Sequence, residues 1–332
     1  MSGAARPAPA AKPGHALSPA SLLRRFGPLL GLLILCGALG GASDRFLTAD
    51  NLLNVCRQSA VNALVSLGQL AVIITAGIDL SVGSILGFCC VMVALLMHAG
   101  VPPPISMAAA LAIGAALGAI NGILLTKLHL PHPFIPTLGM MNVARGLALV
   151  ISGGFPVSEL PRSFRFWGAG SIGWIPAPVI VVMLFCGAFY VFLSRTTIGR
   201  DIYAIGGNPQ AARLSGVPVD ARLVLVYAVS GFTAAAGAIV LAGRMNSGFP
   251  LAGVGSELDS IAAVVIGGAS FLGGVGTVSG TLVGALIMGV LRNGLNLLNV
   301  SAAWQTVVIG VVIVAAVWVD IVRQRAAERG GG

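Results

Sequence analysis

Four polar side chains, Gln58, Asn62, Ser66 and Gln69, recur at intervals of four, four and three within an otherwise apolar run. In a helix that spacing puts them on one face. Arg292, Asn296 and Asn299 form a second such group, and Asn142 with Arg145 a third. Amides both donate and accept hydrogen bonds. A passage lined by amides and a few charges therefore suits uncharged, hydroxyl-rich solutes, which it can touch without holding tightly. On this ground Gln58, Asn62, Gln69, Asn142, Arg145, Arg292 and Asn296 are the candidate residues of a translocation pathway. The same amides could equally hydrogen-bond one helix to another. The two arginines could pair with Asp79, Glu257 or Asp259 as structural ion pairs.

Asp79 stands between two apolar runs, in Gly77-Ile-Asp-Leu-Ser-Val-Gly-Ser84. An ionisable group is costly at membrane depth and needs a reason to be there. It can line a solute path, or it can cap a helix beginning at Leu80 by accepting N–H groups that lipid cannot satisfy. The structural, capping role is the expectation. Catalysis has no candidate. The chain holds no G-x-x-x-x-G-K-[ST] phosphate loop. His15, His98, His129 and His132 fall in the tail or in loops, and the five cysteines, Cys36, Cys56, Cys89, Cys90 and Cys186, lack C-x-x-C spacing. No catalytic residue and no metal site are expected.

Residues 199–216, Gly-Arg-Asp-Ile-Tyr-Ala-Ile-Gly-Gly-Asn-Pro-Gln-Ala-Ala-Arg-Leu-Ser-Gly, are a polar island between two apolar stretches. Asn208 is a good N-cap, Pro209 fits the first helical position and Gly216 suits the residue past the end. One short surface helix is predicted, with Ala211, Ala212 and Leu214 as a small apolar face and Arg200, Arg213 and Arg222 around it. A partner can push or pull such a handle.

These groups need elements to position them, and composition says which. Of 332 residues, 57% are hydrophobic and only 9% charged, and the mean hydropathy is strongly positive. A span needs roughly 20 mainly apolar residues. About ten stretches qualify or nearly do: 27–43, 55–76, 82–98, 105–126, 134–151, 175–193, 223–242, 257–273, 278–298 and 302–320. Gly, Ser and Asp interrupt the third and eighth. With both termini inside, twelve basic residues fall in the inner segments (Arg6, Lys12, Arg24, Arg25, Lys127, Arg195, Arg200, Arg213, Arg222, Arg323, Arg325, Arg329). Four fall outside (Arg45, Arg162, Arg165, Arg244). The net charge of +9 then reflects inner-face lysine and arginine beside anionic lipid rather than nucleic-acid binding. Three regions are expected: an Ala/Pro-rich disordered tail over 1–21, a transmembrane domain over 22–322 and a short C-terminal tail over 323–332.

Glycine is abundant, with 46 residues. The cluster Gly267, Gly268, Gly273, Gly274, Gly276, Gly280, Gly284 and Gly289 predicts a broken helix followed by a closely packed one. The break at 77–84 resembles it loosely, which hints at an internal repeat with a pathway at the repeat interface.

Four segments carry a family resemblance: Gly77 to Ser84, Gly199 to Gly216, Glu257-Leu-Asp-Ser-Ile-Ala-Ala-Val-Val-Ile-Gly-Gly268, and Arg292-Asn-Gly-Leu-Asn-Leu-Leu298. In this order they resemble the membrane permease subunit of ribose-type ABC sugar importers, over nearly all of 27–320. The resemblance implies an all-α polytopic protein of the type II-like importer class in a bacterial inner membrane, with about ten helices per subunit. It implies a permease dimer, most simply a homodimer, two cytoplasmic ATPase subunits and a periplasmic sugar-binding protein. ATP and Mg2+ would then sit on the ATPase and no cofactor on this chain. The 208–216 helix, with Asn208, Pro209, Ala211, Ala212, Arg213, Leu214 and Gly216, would be the coupling helix. The alternative is an ion-coupled secondary transporter of a small polar solute, which needs an intramembrane carboxylate such as Asp79.

Overall fold

The structure is a computed structural model that describes residues 19–329. It opens with α1 (Pro19–Ala42), α2 (Ala49–Ile74), α3 (Val82–His98), α4 (Pro103–Lys127) and α5 (Phe134–Ser152). Strand β1 (Val157–Ser158), helix α6 (Arg162–Ala169), strands β2 (Ser171–Ile172) and β3 (Ile175–Pro176), and helix α7 (Ala177–Arg195) follow. Then come α8 (Thr197–Gly207), α9 (Pro209–Leu214), α10 (Val219–Met245), β4 (Ser247–Gly248), α11 (Ser256–Ile266), α12 (Val278–Leu297) and α13 (Ala302–Arg329). Helices α4, α5, α7, α10 and α12 are long and apolar enough to cross a membrane. Helix α3 and the segments Gly27–Ala42 and Ala302–Trp318 are shorter apolar helices.

Several expected spans coincide with helices: α3, α4, α5 and α12 begin and end within two residues of the boundaries read from hydropathy. The eighth does not. Helix α11 has only 11 residues and stops at Ile266, where the glycine cluster begins. Of the expected 1–21 tail, residues 1–18 lie outside the described residues, and Pro19 already opens α1. At the other end α13 runs on to Arg329, through most of the expected C-terminal tail, and 330–332 are not described.

Helix α2 is the centre. From Ser59 to Ile74 every residue except Asn62 is buried, with α10, α12, α11 and α7 around it. Small residues permit that density. On α4, Gly114, Gly118 and Gly122 recur every four residues and face the backbone of α10. A methyl group on Gly118 would strike the carbonyl oxygen of Tyr227. Gly284 of α12 meets the Ala263 carbonyl of α11 in the same way. At one end of the bundle β1 pairs antiparallel with β4, and β2 and β3 form a second small hairpin.

Among the connections between helices, three bear on the site: 75–81 after α2, 249–255 before α11 and 267–277 after it. The depth of 249–255 follows from its neighbours. Gly253 lies against Gly83 and Leu86 of α3, and Leu86 in turn lies near Gly237 of α10. Segment 249–255 is therefore level with the C-terminal half of the 27-residue α10 and is packed on one side and exposed on the other.

Candidate functional site

The polar island folds as two helices, not the single one predicted. Asn208 explains both. Its backbone N–H bonds Ala204 O and ends α8. Its side-chain oxygen accepts from the N–H groups of Gln210 and Ala211, each at 3.0 Å, and starts α9. Pro209 occupies the first helical position, and Gly216 adopts a left-handed φ of 84° after the end. Two ion pairs brace the island: Arg222 to Asp201 at 2.8 Å, and the exposed pair Arg213 to Asp220 at 2.6 Å.

The expected apolar docking face divides. Leu214 is 90% exposed and Ala211 is exposed. Ala212 is 5% exposed and packs with Ile205 of α8 and Val219 of α10. Ala212 is thus corrected from a partner-facing residue to the seat of α9 on its own protein. A six-residue helix presents two sides, and hydropathy cannot say which side is outward. Beside α9 a cleft of about 660 Å3 opens toward Lys127 at the end of α4.

Helix α8 rests on both breaks. Gly206 is pressed against the Ile74 carbonyl at the end of α2 and against the amide of Gly274. Gly274 N–H donates to that same Ile74 carbonyl at 2.8 Å. Tyr203, half-buried, donates its hydroxyl to Gly276 O at 2.7 Å. Burial holds the Tyr203 phenol above its ordinary pKa, so it remains a donor. The sequence reading passed over Tyr203. An aromatic residue with a polar tip inside a polar island, in a chain with only three tyrosines, was the available signal.

Asp79 is fully buried and is not the cap of a helix at Leu80. Helix α3 begins at Val82 with Ser81 as its N-cap. Asp79 Oδ1 accepts from Ser81 N at 2.9 Å and Ser81 Oγ at 2.6 Å, and its Oδ2 accepts from Ser230 Oγ of α10 at 2.8 Å. Asn121 of α4 donates to Ser81 Oγ at 2.8 Å. With its amide assigned so that donor faces acceptor, Gln69 Nε2 donates to Asp79 O at 3.2 Å and Gln69 Oε1 accepts from Asp79 N at 3.3 Å. These bonds fasten 75–81 to α2, α4 and α10, and the expected cap of a helix at Leu80 is not made. Asn121 and Ser230 were missed because no local spacing links them to Asp79, whereas Ser81 lies two residues away, the spacing of a side chain that bonds its own backbone turn.

The polar stripes separate likewise. Gln69 is fully buried on the Asp79 turn, whereas Gln58 and Asn62 are partly exposed. Asn142 is exposed on α5 and bonds only its own helix, at Leu138 O. Arg145 donates to Pro250 O at 3.1 Å and Ala252 O at 2.9 Å, which anchors the unwound 249–255 segment to α5. Arg292 pairs with Asp259 of α11 at 2.6 Å. The neighbouring Asn293 exchanges amide bonds with Asn51 at 2.9 and 3.0 Å. Asn296 is exposed and accepts from Gln305 Nε2 of α13 at 2.8 Å. Asn299 lies beyond the end of α12 with a left-handed φ of 56° and leaves that stripe. Cysteine at 58 or 62 in a cysteine-free background is expected to react with a small water-soluble thiol reagent at least tenfold faster than cysteine at 69, and labelling rates by mass spectrometry check this. Equal rates at all three positions would contradict it.

Comparison with known proteins bears on this arrangement. Residues 51–317 match the family described as branched-chain amino acid transport system / permease component. The chain is 44% identical over 301 residues to the ribose import permease protein RbsC of Escherichia coli strain K12, covering 89% of this chain and 93% of that protein. It is 44% identical to the Bacillus subtilis strain 168 protein of the same name, covering 90% and 93%. It is 40% identical to the Escherichia coli D-allose transport system permease protein AlsC, covering 89% and 91%. No solved structure matches. With its membrane-length apolar helices, the chain belongs to this family of transport-system permease components.

Proposed function

We propose that this chain is the membrane permease subunit of an ABC importer for a monosaccharide or related polyol. It lies in a bacterial inner membrane with about ten spans and both termini in the cytoplasm. The observation that carries the reading is the α8–α9 unit. A capped helix presents exposed Leu214 to a partner while its other side is seated, through Ala212 and α8, on both broken segments. A chain without a phosphate loop takes its energy from elsewhere, so ATP and Mg2+ belong on a cytoplasmic ATPase that docks there. A periplasmic sugar-binding protein delivers the solute, and no nucleic acid is involved.

A second copy of the permease completes the pathway. Leu251 and Val254 lie on the unwound 249–255 segment and are exposed, Val254 at 67%. Irregular backbone at membrane depth is tolerated against protein or water but not against lipid. That face therefore suits another subunit, and Asn62, Asn142 and Arg292 are the proposed pathway residues. Gln69 and Asp79 serve the fold. Against the ion-coupled alternative, the Asp79 carboxylate it would use accepts from three donors of its own chain.

Reconstitution tests the reading. Proteoliposomes holding the chain, its ATPase and its binding protein are expected to accumulate at least one of D-ribose, D-allose, D-galactose and D-fructose, and only with internal ATP. The chain alone should neither hydrolyse ATP nor concentrate a sugar. Proton- or sodium-driven uptake by the isolated chain would overturn the reading.

A further inference from the structure

Within the proposed importer, we infer that α8 transmits ATPase motion to the pathway, and that the hydrogen bond from the Tyr203 hydroxyl to the Gly276 carbonyl is the link by which it moves the α11–α12 break. The inference rests on the permease reading and adds to it a positioning residue outside the docking helix.

The geometry has three parts. First, Asn208 alone separates α8 from α9 and is bonded to both, so the two helices share one residue as stop and start. Burial of Ala212 against Ile205 adds side-chain contact between them. A displacement of α9 thus carries α8 with it.

Second, the C-terminal turn of α8 meets backbone rather than flexible side chains. Gly206 touches the Ile74 carbonyl and the Gly274 amide, and a methyl group at Gly273 would come within 2.8 Å of Gly206 O and 3.0 Å of the Ala76 backbone. Backbone-to-backbone contact transmits displacement with little slack.

Third, Tyr203 reaches past this glycine junction to the segment that matters. Gly276 adjoins Thr277, whose hydroxyl accepts from Gly280 N at 3.1 Å and starts α12. Gly276 itself is backed by Leu70 and Ile74 of α2. Helix α12 carries Arg292, which holds Asp259 of α11. The Tyr203 bond thus joins the ATPase-facing unit to the start of the helix that carries the ion pair.

The experiment uses Tyr203→Phe, which removes one oxygen and keeps the ring, in the full complex of permease, ATPase and binding protein in proteoliposomes. Three quantities are read: co-purification of the ATPase, ATP hydrolysis, and sugar accumulated per ATP, for whichever of the four sugars above the wild-type complex takes up. Assembly and hydrolysis are expected to stay within about twofold of wild type. Sugar per ATP is expected to fall about two- to tenfold, the range set by loss of one net hydrogen bond. Hydrogen exchange separates a link from simple packing. ATP binding should change exchange at 267–280 in the wild type, and in Tyr203→Phe that change should shrink while the change at 208–216 persists. An unchanged sugar-to-ATP ratio with unchanged exchange overturns the link, and so does loss of ATPase association. A wild-type complex that takes up none of the four sugars would instead overturn the transport reading beneath it.

Discussion

Leu214→Glu is expected to abolish ATP-driven uptake and to weaken ATPase co-purification at least thirtyfold, with the membrane bundle intact. The side chain is 90% exposed, so the substitution costs the isolated chain almost nothing. Burying a carboxylate in an apolar groove on a partner is unfavourable, and losing a central apolar anchor typically costs about 2 kcal/mol or more, roughly thirtyfold in affinity. Ala211→Glu, also exposed, should act in the same direction. Ala212→Glu should fail differently. Its carboxylate would enter the pocket formed with Ile205 and Val219, so α9 should detach and 208–216 should become protease-sensitive even without the ATPase. Gly216→Val should also loosen the exit from α9, by about 1 kcal/mol, because φ is 84° there. Co-purification beside limited proteolysis checks all four. Wild-type uptake by Leu214→Glu would remove α9 from the coupling role.

Asp79→Leu is expected to prevent folding, or to lower stability by about 3 kcal/mol or more, at a fully buried side chain. Three donors point at this carboxylate: the Ser81 amide, the Ser81 hydroxyl and the Ser230 hydroxyl. An apolar replacement leaves them unpaired, and buried groups stripped of a charged partner cost more than neutral ones. Segment 75–81 would then lose its tie to α10, and with it the alignment between α2 and α3. Asp79→Asn keeps the shape and one acceptor and should cost less. Expression, monodispersity in detergent and thermal unfolding rank the three proteins. If Asp79→Leu folds as well as wild type but stops transport, the residue belongs to the pathway instead.

Much of this fold was legible along the chain because hydropathy, capping and glycine spacing are local. Asn208, Pro209 and Gly216 read directly as the punctuation of α9, since a cap is made by a residue and its next two or three neighbours. The glycine cluster at 267–276 read as a break for the same reason. Much of the site was not legible. Gln58, Asn62 and Gln69 share a helical face by spacing, yet Gln69 is enclosed by the Asp79 turn while the other two stay accessible. Which part of a stripe is covered depends on how far along the helix a neighbour packs, and spacing carries no such information.

The sequence by itself determined that this is an apolar, helical membrane protein with a polar, capped island and two glycine-rich interruptions, because each of those properties is a sum over neighbouring residues. Only the tertiary structure decided which side of α9 is seated and which is free. It also decided that Arg292 meets Asp259, and that Asp79 bonds Ser230, 151 positions away. Those outcomes depend on close backbone approach, as where Gly118 meets Tyr227 and Gly206 meets Ile74. Such approach sets which distant polar groups come within hydrogen-bond range, and in a membrane interior nearly every polar group must find a partner there.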